Sequence, residues 1–248
     1  MIEHFFKIDP RLLDIADAAL GDCRAPFDRI DETAEYNACK VLAAFIDNRV
    51  SESHFTGTTG YGYGDRGRDT LDAVLAQIMG TEDALIRHNF VSGTHAITTA
   101  LFGVLRPGDR MVSLTGAPYD TLQPVIGVVP GGHGSLREFG IQYEQLDLCA
   151  DGTPDYKNVA KAIRGARAAY IQRSRGYTLR ESLHIDEISR LIDAVRAADP
   201  DTVVIVDNCY GEFVEKCEPT QAGADLIVGS LIKNPGGGIA NTGGYIAG

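Results

Sequence analysis

Residues 202–207 are TVVIVD and residues 226–233 are LIVGSLIK, two apolar runs that each lead into polar or charged side chains. Continuous aliphatic runs of about one strand's length are typical of strands that a parallel sheet buries on both faces. The first predicts a strand at 202–206 ahead of Asp207, and the second a strand at 226–230 ahead of Lys233. Ligands of open α/β sheets bind beyond the carboxyl ends of the strands, so we look for a functional site at these two turns.

The other apolar runs alternate with segments of helical periodicity. Further strands are predicted at 84–90, 110–115, 168–172 and 243–247, and helices at 94–105 and 185–198. Strands that alternate with helices indicate an α/β protein, and continuously apolar strands indicate helices on both faces of the sheet. The predicted architecture is a three-layer α/β/α domain with a mostly parallel sheet.

The N-terminal part has a different pattern. Residues 9–50 carry apolar side chains at helical spacing. The glycine-dense segment that follows, TGTTGYGYGDRGR at 56–68, disfavours regular structure because glycine loses the most backbone entropy on ordering. Asp69 then stands where a helix N-cap is expected. We therefore divide the chain into an N-terminal helical segment, 1–55, and a large domain, 56–248.

The bulk composition narrows the class of protein. A net charge of −11 argues against nucleic acid or an anionic membrane as a partner, because both attract basic surfaces. No apolar run approaches the roughly 20 residues of a membrane span, and the N-terminus does not have the pattern of a secretory signal. The five cysteines form no CxxC pair, which favours reduced thiols over disulfides or a zinc site. We expect a soluble cytoplasmic protein without a metal site.

Two strand-end turns carry groups that could bind a charged ligand. Ser92, Gly93 and Thr94 lie between a predicted strand and a predicted helix, where small residues and helix N–H groups can hold a phosphate. A plain helix cap is the structural alternative. Asp207 ends a buried strand, where a carboxylate costs free energy unless a cation pairs with it. Its partner could be a protonated ring nitrogen of a ligand, or Asp207 could cap or ion-pair within the protein.

Further polar residues follow other predicted strands. Lys233 emerges into a glycine-rich loop, where partial desolvation would make its amine a usable nucleophile, although surface lysines are common. Tyr119 could stack on a planar ring or act as an acid or base, although packing is the ordinary role of a tyrosine. Arg173 and Arg175 could contact substrate or phosphate, or lie on a solvated loop.

Along the chain, the possible phosphate-binding turn at 92–94 comes first, followed by Tyr119, by Asp207 and by a Ser-x-x-Lys motif at 230–233. The lysine of this motif comes 26 residues after the aspartate. In this order the sequence resembles the fold-type I pyridoxal-phosphate (PLP) enzymes, above all the branch of the cystathionine and methionine gamma-lyases. The resemblance spans roughly residues 50–248 and is greatest to the methionine gamma-lyase-related group often labelled aluminium resistance proteins. The strings that carry it are GYGYGDRGRD at 60–69, SGTHA at 92–96, QRSRGY at 172–177, VDNCYGE at 206–212 and GSLIKNPGGGIA at 229–240.

The resemblance implies a role for each matched residue. Lys233 matches the lysine that carries pyridoxal 5'-phosphate as a Schiff base, and Asp207 matches the partner of the pyridine nitrogen. Tyr119 matches the aromatic residue that stacks on the cofactor ring, and with Lys233 it is a candidate catalytic residue. The implied phosphate cup consists of Ser92, Gly93, Thr94 and the hydroxyl of Ser230.

The resemblance also implies a shared active site. In gamma-lyase relatives a Tyr-x-Arg from the neighbouring subunit reaches the phosphate. The nearest matches here are Tyr63 and Arg66, with Tyr61 close by, although their spacing departs from that pattern. A homodimer or homotetramer with sites shared between subunits is therefore expected.

The implied activity is that of a PLP-dependent carbon–sulfur lyase acting on a sulfur-containing amino acid through the Lys233 aldimine. A PLP-dependent aminotransferase or desulfurase is an alternative, because the cofactor-binding residues do not set the reaction. In the resembling families a smaller C-terminal domain follows the lysine, whereas this sequence ends at Gly248. We expect that domain to be absent, which leaves a truncated, non-catalytic domain that binds PLP or dimerises as a third hypothesis. A dinucleotide-binding protein is disfavoured, because no G-x-G-x-x-G follows the first strand.

Overall fold

A seven-stranded sheet forms the centre of the protein. The computed structural model describes residues 2–59, 61–129 and 133–248. The strands are β1 Ala84–Arg87, β2 Arg110–Ser113, β3 Gln142–Gln145, β4 Ala168–Gln172, β5 Val203–Asp207, β6 Leu226–Ser230 and β7 Gly244–Ala247. Their order across the sheet is β3-β2-β4-β5-β6-β7-β1. Strand β7 runs antiparallel to both of its neighbours, β6 and β1, whereas the other four strand pairs are parallel, so the prediction of a mostly parallel sheet is confirmed.

Seven α-helices in the described part of the chain accompany the sheet. They are α1 Pro10–Asp22, α2 Arg24–Asp47, α3 Arg66–Met79, α4 Gly93–Val104, α5 Gln123–Ile126, α6 Val159–Ile163 and α7 Ile185–Ala198. Short 3-10 turns lie at Ile2–His4, Glu52–Phe55 and Asn234–Gly236. None of the helices in the described residues combines the length and the apolar character that crossing a membrane requires.

The two faces of the sheet bury separate apolar clusters, because side chains alternate along a strand. The cluster that includes α3, α6 and α7 receives Val112, Ala169, Val204 and Ile227 from the strands. The cluster that includes α4 and α5 receives Met111, Tyr170, Ile205 and Val228. Helices therefore cover both faces, and the predicted three-layer α/β/α architecture is confirmed.

Helix α3 begins earlier than the sequence pattern predicted. Its N-cap is Asp65, whose Oδ1 accepts a hydrogen bond from the Arg68 N–H at 3.0 Å, so the assignment of Asp69 as the cap is wrong. Asp69 lies in the first helical turn. The first turn of α3 requires glycine at position 67. A Cβ there would lie 2.2 Å from the His54 carbonyl oxygen, which is too close for any side chain.

The predicted N-terminal helical stretch at 9–50 is present as α1 and α2. Helix α1 has no buried residue, and α2 buries Asn37 and Ala44. The Asn37 amide donates hydrogen bonds to the carbonyls of Phe213 and Glu215 at 3.0 and 3.1 Å, which ties α2 to the chain beyond β5. The division of the chain at residue 55 stays a prediction.

A half-buried ion pair joins α3 to β1 and supplies a test of the fold. The Arg87 guanidinium donates to both carboxylate oxygens of Asp72, at 2.5 and 2.6 Å, and the Ile86 N–H donates to the same carboxylate at 2.9 Å. We expect Asp72→Ala to lower the free energy of unfolding by about 2–4 kcal/mol, because it leaves a largely desolvated guanidinium and an N–H without their acceptor. Urea unfolding followed by circular dichroism measures the change.

The exposed pair formed by Arg24 and Asp28 in α2 is the matched control for this experiment. Asp28→Ala should change the free energy of unfolding by less than about 1 kcal/mol, since exposed ion pairs contribute little. Equal effects of the two variants would contradict the role given to the Asp72 pair.

Candidate active site

A cavity of about 490 Å³ opens beyond the carboxyl ends of β4, β5 and β6 and the start of α4. Its volume lies within the roughly 300–1,000 Å³ typical of small-molecule sites. Seven of the nine predicted site residues line it: Ser92, Gly93, Thr94, Tyr119, Asp207, Ser230 and Lys233. The parallel sheet thus gathers at one edge residues that are spread over more than half of the chain.

Asp207, the last residue of β5, is only 2 % exposed. Its carboxylate accepts hydrogen bonds from the Tyr170 hydroxyl at 3.2 Å and from the Cys209 N–H at 3.1 Å. Burial raises the pKa of Asp207, while its hydrogen bonds with Cys209 and Tyr170 and the charge of Lys233 act in the opposite direction. Because both donors are neutral, the carboxylate is well suited to pair with a cationic group of a ligand.

The start of α4 has the features of an anion site. Ser92 caps the helix by accepting a hydrogen bond from the His95 N–H at 3.1 Å, and a helix N-terminus attracts negative charge. A Cβ on Gly93 would lie 3.0 Å from the Ser230 Cβ and 3.4 Å from the Cys209 sulfur, so glycine is what allows β6 to approach so closely. The buried Ser230 hydroxyl has no hydrogen-bond partner among the described residues, which leaves it available to a ligand.

Tyr119 is fixed against this anion site. Its hydroxyl shares a hydrogen bond with the Thr94 hydroxyl at 2.9 Å, and its N–H donates to the Gln172 side-chain oxygen at 2.8 Å. Burial raises the pKa of Tyr119 to about 12. The residue is therefore a neutral aromatic at physiological pH, which suits it to contact a planar ring and to donate a hydrogen bond.

Lys233 points its amine toward the chain beyond β5. Its Nζ donates a hydrogen bond to the Tyr210 hydroxyl and lies 4.1 Å from the centroid of the Tyr210 ring. The neighbouring Asn234 amide donates to the Glu212 carbonyl at 2.9 Å, which holds the lysine loop to the same turn. The amine therefore lines the same cavity as Asp207 and the start of α4. The sequence patterns predicted no role for Tyr210, although it lies in the string VDNCYGE at 206–212.

Arg173 has a structural place behind the cavity. It is 3 % exposed, so the alternative of a solvated surface arginine is wrong for this residue. Its guanidinium donates to the Asn208 side-chain oxygen and to the Gly211 carbonyl, both at 2.9 Å, and pairs with Glu215. These bonds shape the turn that carries Tyr210. Arg175, in contrast, is exposed and lines the cavity.

Tyr63 and Arg66 do not line the cavity. Tyr63 is 87 % exposed in the turn before α3, and Arg66 is the exposed first residue of that helix. Gly60, which opens the string at 60–69, lies outside the described residues. The predicted role of Tyr63 and Arg66 is in a neighbouring subunit's site, which a single chain does not test, so it stays a prediction.

The groups around the cavity fit pyridoxal phosphate. The start of α4 and the unpartnered Ser230 hydroxyl suit the phosphate, and the buried carboxylate of Asp207 suits a protonated pyridine nitrogen. Tyr119 offers an aromatic face, and Lys233 offers the amine that an aldehyde requires.

Comparisons with known proteins identify a family and several relatives of this chain. The sequence model of the family described as methionine gamma-lyase matches residues 12–248. The uncharacterised protein YnbB of Bacillus subtilis is 52 % identical over 222 residues, which are 89 % of this chain and 53 % of the relative. The L-methionine gamma-lyase of Pseudomonas putida is 27 % identical over 183 residues, 72 % of this chain and 39 % of that enzyme.

A solved structure shows the same fold. The carbon-sulfur lyase involved in aluminium resistance from Clostridium novyi NT is 51 % identical and superposes with a TM-score of 0.92, covering 97 % of this chain and 58 % of that one. The chain therefore spans about 53 % of the Bacillus subtilis relative and 58 % of the Clostridium novyi chain. The predicted fold-type I architecture, with a mostly parallel sheet between helices, is confirmed. The chain belongs to the methionine gamma-lyase family.

Proposed function

We propose that this chain binds pyridoxal 5'-phosphate through Lys233 and takes part in cleaving a carbon–sulfur bond of a sulfur-containing amino acid. The observation that carries the proposal is the cavity itself, in which the Lys233 amine, the buried Asp207 carboxylate and the start of α4 come together. The family supports lyase chemistry, and the Clostridium novyi structure is that of a carbon-sulfur lyase.

Each residue of the cavity has a defined task in this proposal. When bound, the cofactor supplies an electron sink for the amino acid substrate. Asp207 keeps a proton on the ring nitrogen, since a buried carboxylate is stabilised by the cation that it faces. Lys233 would hold the cofactor through its amine and, once freed, would take the proton from the substrate α-carbon. Tyr119 holds the ring from one side.

The oligomeric arrangement is part of the proposal. Tyr63 and Arg66 are exposed at the start of α3 and do not line the chain's own cavity, and we assign them to the phosphate of a second copy. The active unit is then a homodimer or homotetramer.

Aminotransfer and desulfuration use the same cofactor-binding residues as elimination. Analysis of the reaction products therefore distinguishes these reactions from elimination. Release of ammonia and a 2-oxo acid without a second oxo acid indicates a lyase.

The first test concerns the covalent link. We expect the purified chain to acquire the visible absorbance of lysine-bound PLP on addition of the cofactor, and Lys233→Ala to lose it completely, because no other amine lines the cavity among the described residues. Spectra of both proteins at equal concentration measure the effect. Lys157→Ala, at an exposed position, is the control and should bind like wild type. A wild-type protein that stays colourless would refute the proposal.

The second test uses the buried carboxylate. We expect Asp207→Asn to raise the free energy of unfolding of the cofactor-free protein at pH 7 by about 1–3 kcal/mol, since it removes a desolvated charge. The raised pKa of Asp207 makes the wild type lose stability as pH rises above the ordinary value of 3.8. The advantage of asparagine should therefore vanish in acid. Thermal unfolding across pH measures it.

The same variant should bind PLP more weakly than wild type, because an amide does not pair with the ring nitrogen's positive charge. Exposed Asp193 in α7 provides the control, and Asp193→Asn should alter neither stability nor binding appreciably. A gain in cofactor affinity on Asp207→Asn would contradict the assigned pairing.

The third test concerns the phosphate. Ser230→Ala removes a hydroxyl without a partner, so we expect the cofactor-free stability to change by less than about 0.5 kcal/mol. The affinity for PLP should fall about tenfold, because a hydrogen bond to a charged group is lost. Denaturant unfolding and PLP titration measure the two quantities.

Ser113→Ala is the contrasting variant for Ser230→Ala. The buried Ser113 hydroxyl donates to the Gly116 carbonyl at 2.6 Å, so its loss should cost about 1–3 kcal/mol of stability. Its effect on PLP affinity should be small. If Ser230→Ala instead destabilised the free protein and left PLP binding intact, the phosphate role of Ser230 would be wrong.

A further inference from the structure

Tyr210 has an unusual backbone conformation directly beside the Lys233 amine. Its φ is +68°, in the left-handed region that glycine occupies readily and a bulky side chain seldom does. Such a conformation is strained and persists only where surrounding contacts impose it. The strained residue is a wall of the cavity, so the strain concerns the site rather than a distant loop.

The contacts that impose this conformation do not involve the Tyr210 side chain. The Gly211 N–H donates to the Asn208 carbonyl at 2.8 Å, which closes the turn. The buried Arg173 guanidinium holds both ends of it through Asn208 and Gly211. A Cβ on Gly211 would lie 2.4 Å from the Arg173 Cδ, so the turn is packed tightly against the arginine. The turn is thus built rigidly and presents Tyr210.

Packing does not explain the side chain that this turn presents. Tyr210 is 58 % exposed, so its ring contributes little buried area to the fold. What the conformation achieves is a position: the hydroxyl accepts a hydrogen bond from Lys233 Nζ, and the ring face lies 4.1 Å from the same nitrogen. Both contacts favour a positively charged nitrogen.

The other tyrosines of the cavity are differently engaged. The Tyr119 hydroxyl is shared with Thr94, and Tyr177 is 90 % exposed at the cavity edge. Among the described residues, Tyr210 is therefore the aromatic side chain of this cavity that contacts the lysine amine.

We propose that Tyr210 is a catalytic residue that stabilises the ammonium form of Lys233 when the lysine acts as a base. The inference rests on the proposed function and deepens it. The proton leaves the substrate α-carbon for Nζ, and the electron pair of the broken C–H bond stays on the substrate side. The neutral amine becomes an ammonium, whose positive charge is met by the Tyr210 hydroxyl oxygen and ring face.

The test measures Lys233 in the cofactor-free chain, so it does not depend on turnover. Acetic anhydride labels neutral amines, and peptide mass spectrometry reports the labelling rate of each lysine. In Tyr210→Phe we expect Lys233 to be acetylated about tenfold faster at pH 7, because the ammonium loses a charge-assisted hydrogen bond while the ring remains. Tyr210→Leu, which removes the ring as well, should increase the rate further.

Two controls separate this result from loosened structure. Tyr177→Phe removes a hydroxyl from the same cavity and should leave the labelling of Lys233 unchanged. Exposed Lys157 should react equally in every variant, because it lies outside the cavity and its surroundings do not change. An unchanged or slower labelling of Lys233 in Tyr210→Phe would overturn the proposal.

A second measurement uses the PLP-loaded protein. Exchange of the α-proton of L-alanine with deuterated solvent, followed by NMR, should slow about tenfold or more in Tyr210→Phe if the tyrosine assists proton removal. Exchange at the wild-type rate in Tyr210→Phe would also overturn the proposal. If wild type itself fails to bind PLP, the proposed function fails, and the labelling experiment still decides whether Tyr210 stabilises the charged lysine.

Discussion

The carboxylate of Asp207, buried at the end of a central strand, is the constraint on which the site depends. The residue is almost fully buried, and its hydrogen bonds come from the neutral groups of Tyr170 and Cys209. A charge held in this way is costly unless a ligand provides the opposite charge. The adjacent strand β6 carries Ser230 at its end, and Lys233 follows three residues later. The position of the carboxylate therefore determines where a cationic ring and its reactive aldehyde would lie.

Behind this carboxylate, a network of buried polar groups holds the turn at 208–211, which follows β5, in place. Arg173 bonds to Asn208, whose amide in turn donates to Glu218 at 2.9 Å. Burial raises the pKa of Glu212 to about 8, so this carboxyl is largely protonated at neutral pH, and it accepts a hydrogen bond from Tyr245 at 2.9 Å. Because Glu212 is protonated and Glu218 is hydrogen-bonded to Asn208, burying the two acidic side chains next to the cavity costs less free energy. The rigid turn can then hold Tyr210 in a strained conformation.

The strands of the sheet core were predictable because burial on both faces leaves a continuous apolar run. The strands at 168–172 and 226–230 were predicted with the bounds that the structure has. Strand β3, with the sequence QYEQ, was not predicted, because it lies at the sheet edge, where exposed polar side chains replace the apolar pattern. The start of α3 was misplaced because Asp65 and Asp69 are both plausible caps in sequence, and only the hydrogen bond from the Arg68 N–H to Asp65 shows where the helix begins.

The sequence by itself determined the sheet class and that Asp207, Ser230 and Lys233 lie close together. They follow neighbouring parallel strands, and the carboxyl ends of such strands meet at one edge of the sheet. Only the tertiary structure decided what surrounds them. Arg173 is a buried anchor and Tyr210 contacts the lysine, and neither follows from spacing along the chain. The physical reason is that a positive φ and a buried guanidinium are imposed by contacts between segments distant in sequence. Local patterns predict which strand a residue follows, whereas packing decides where its side chain points.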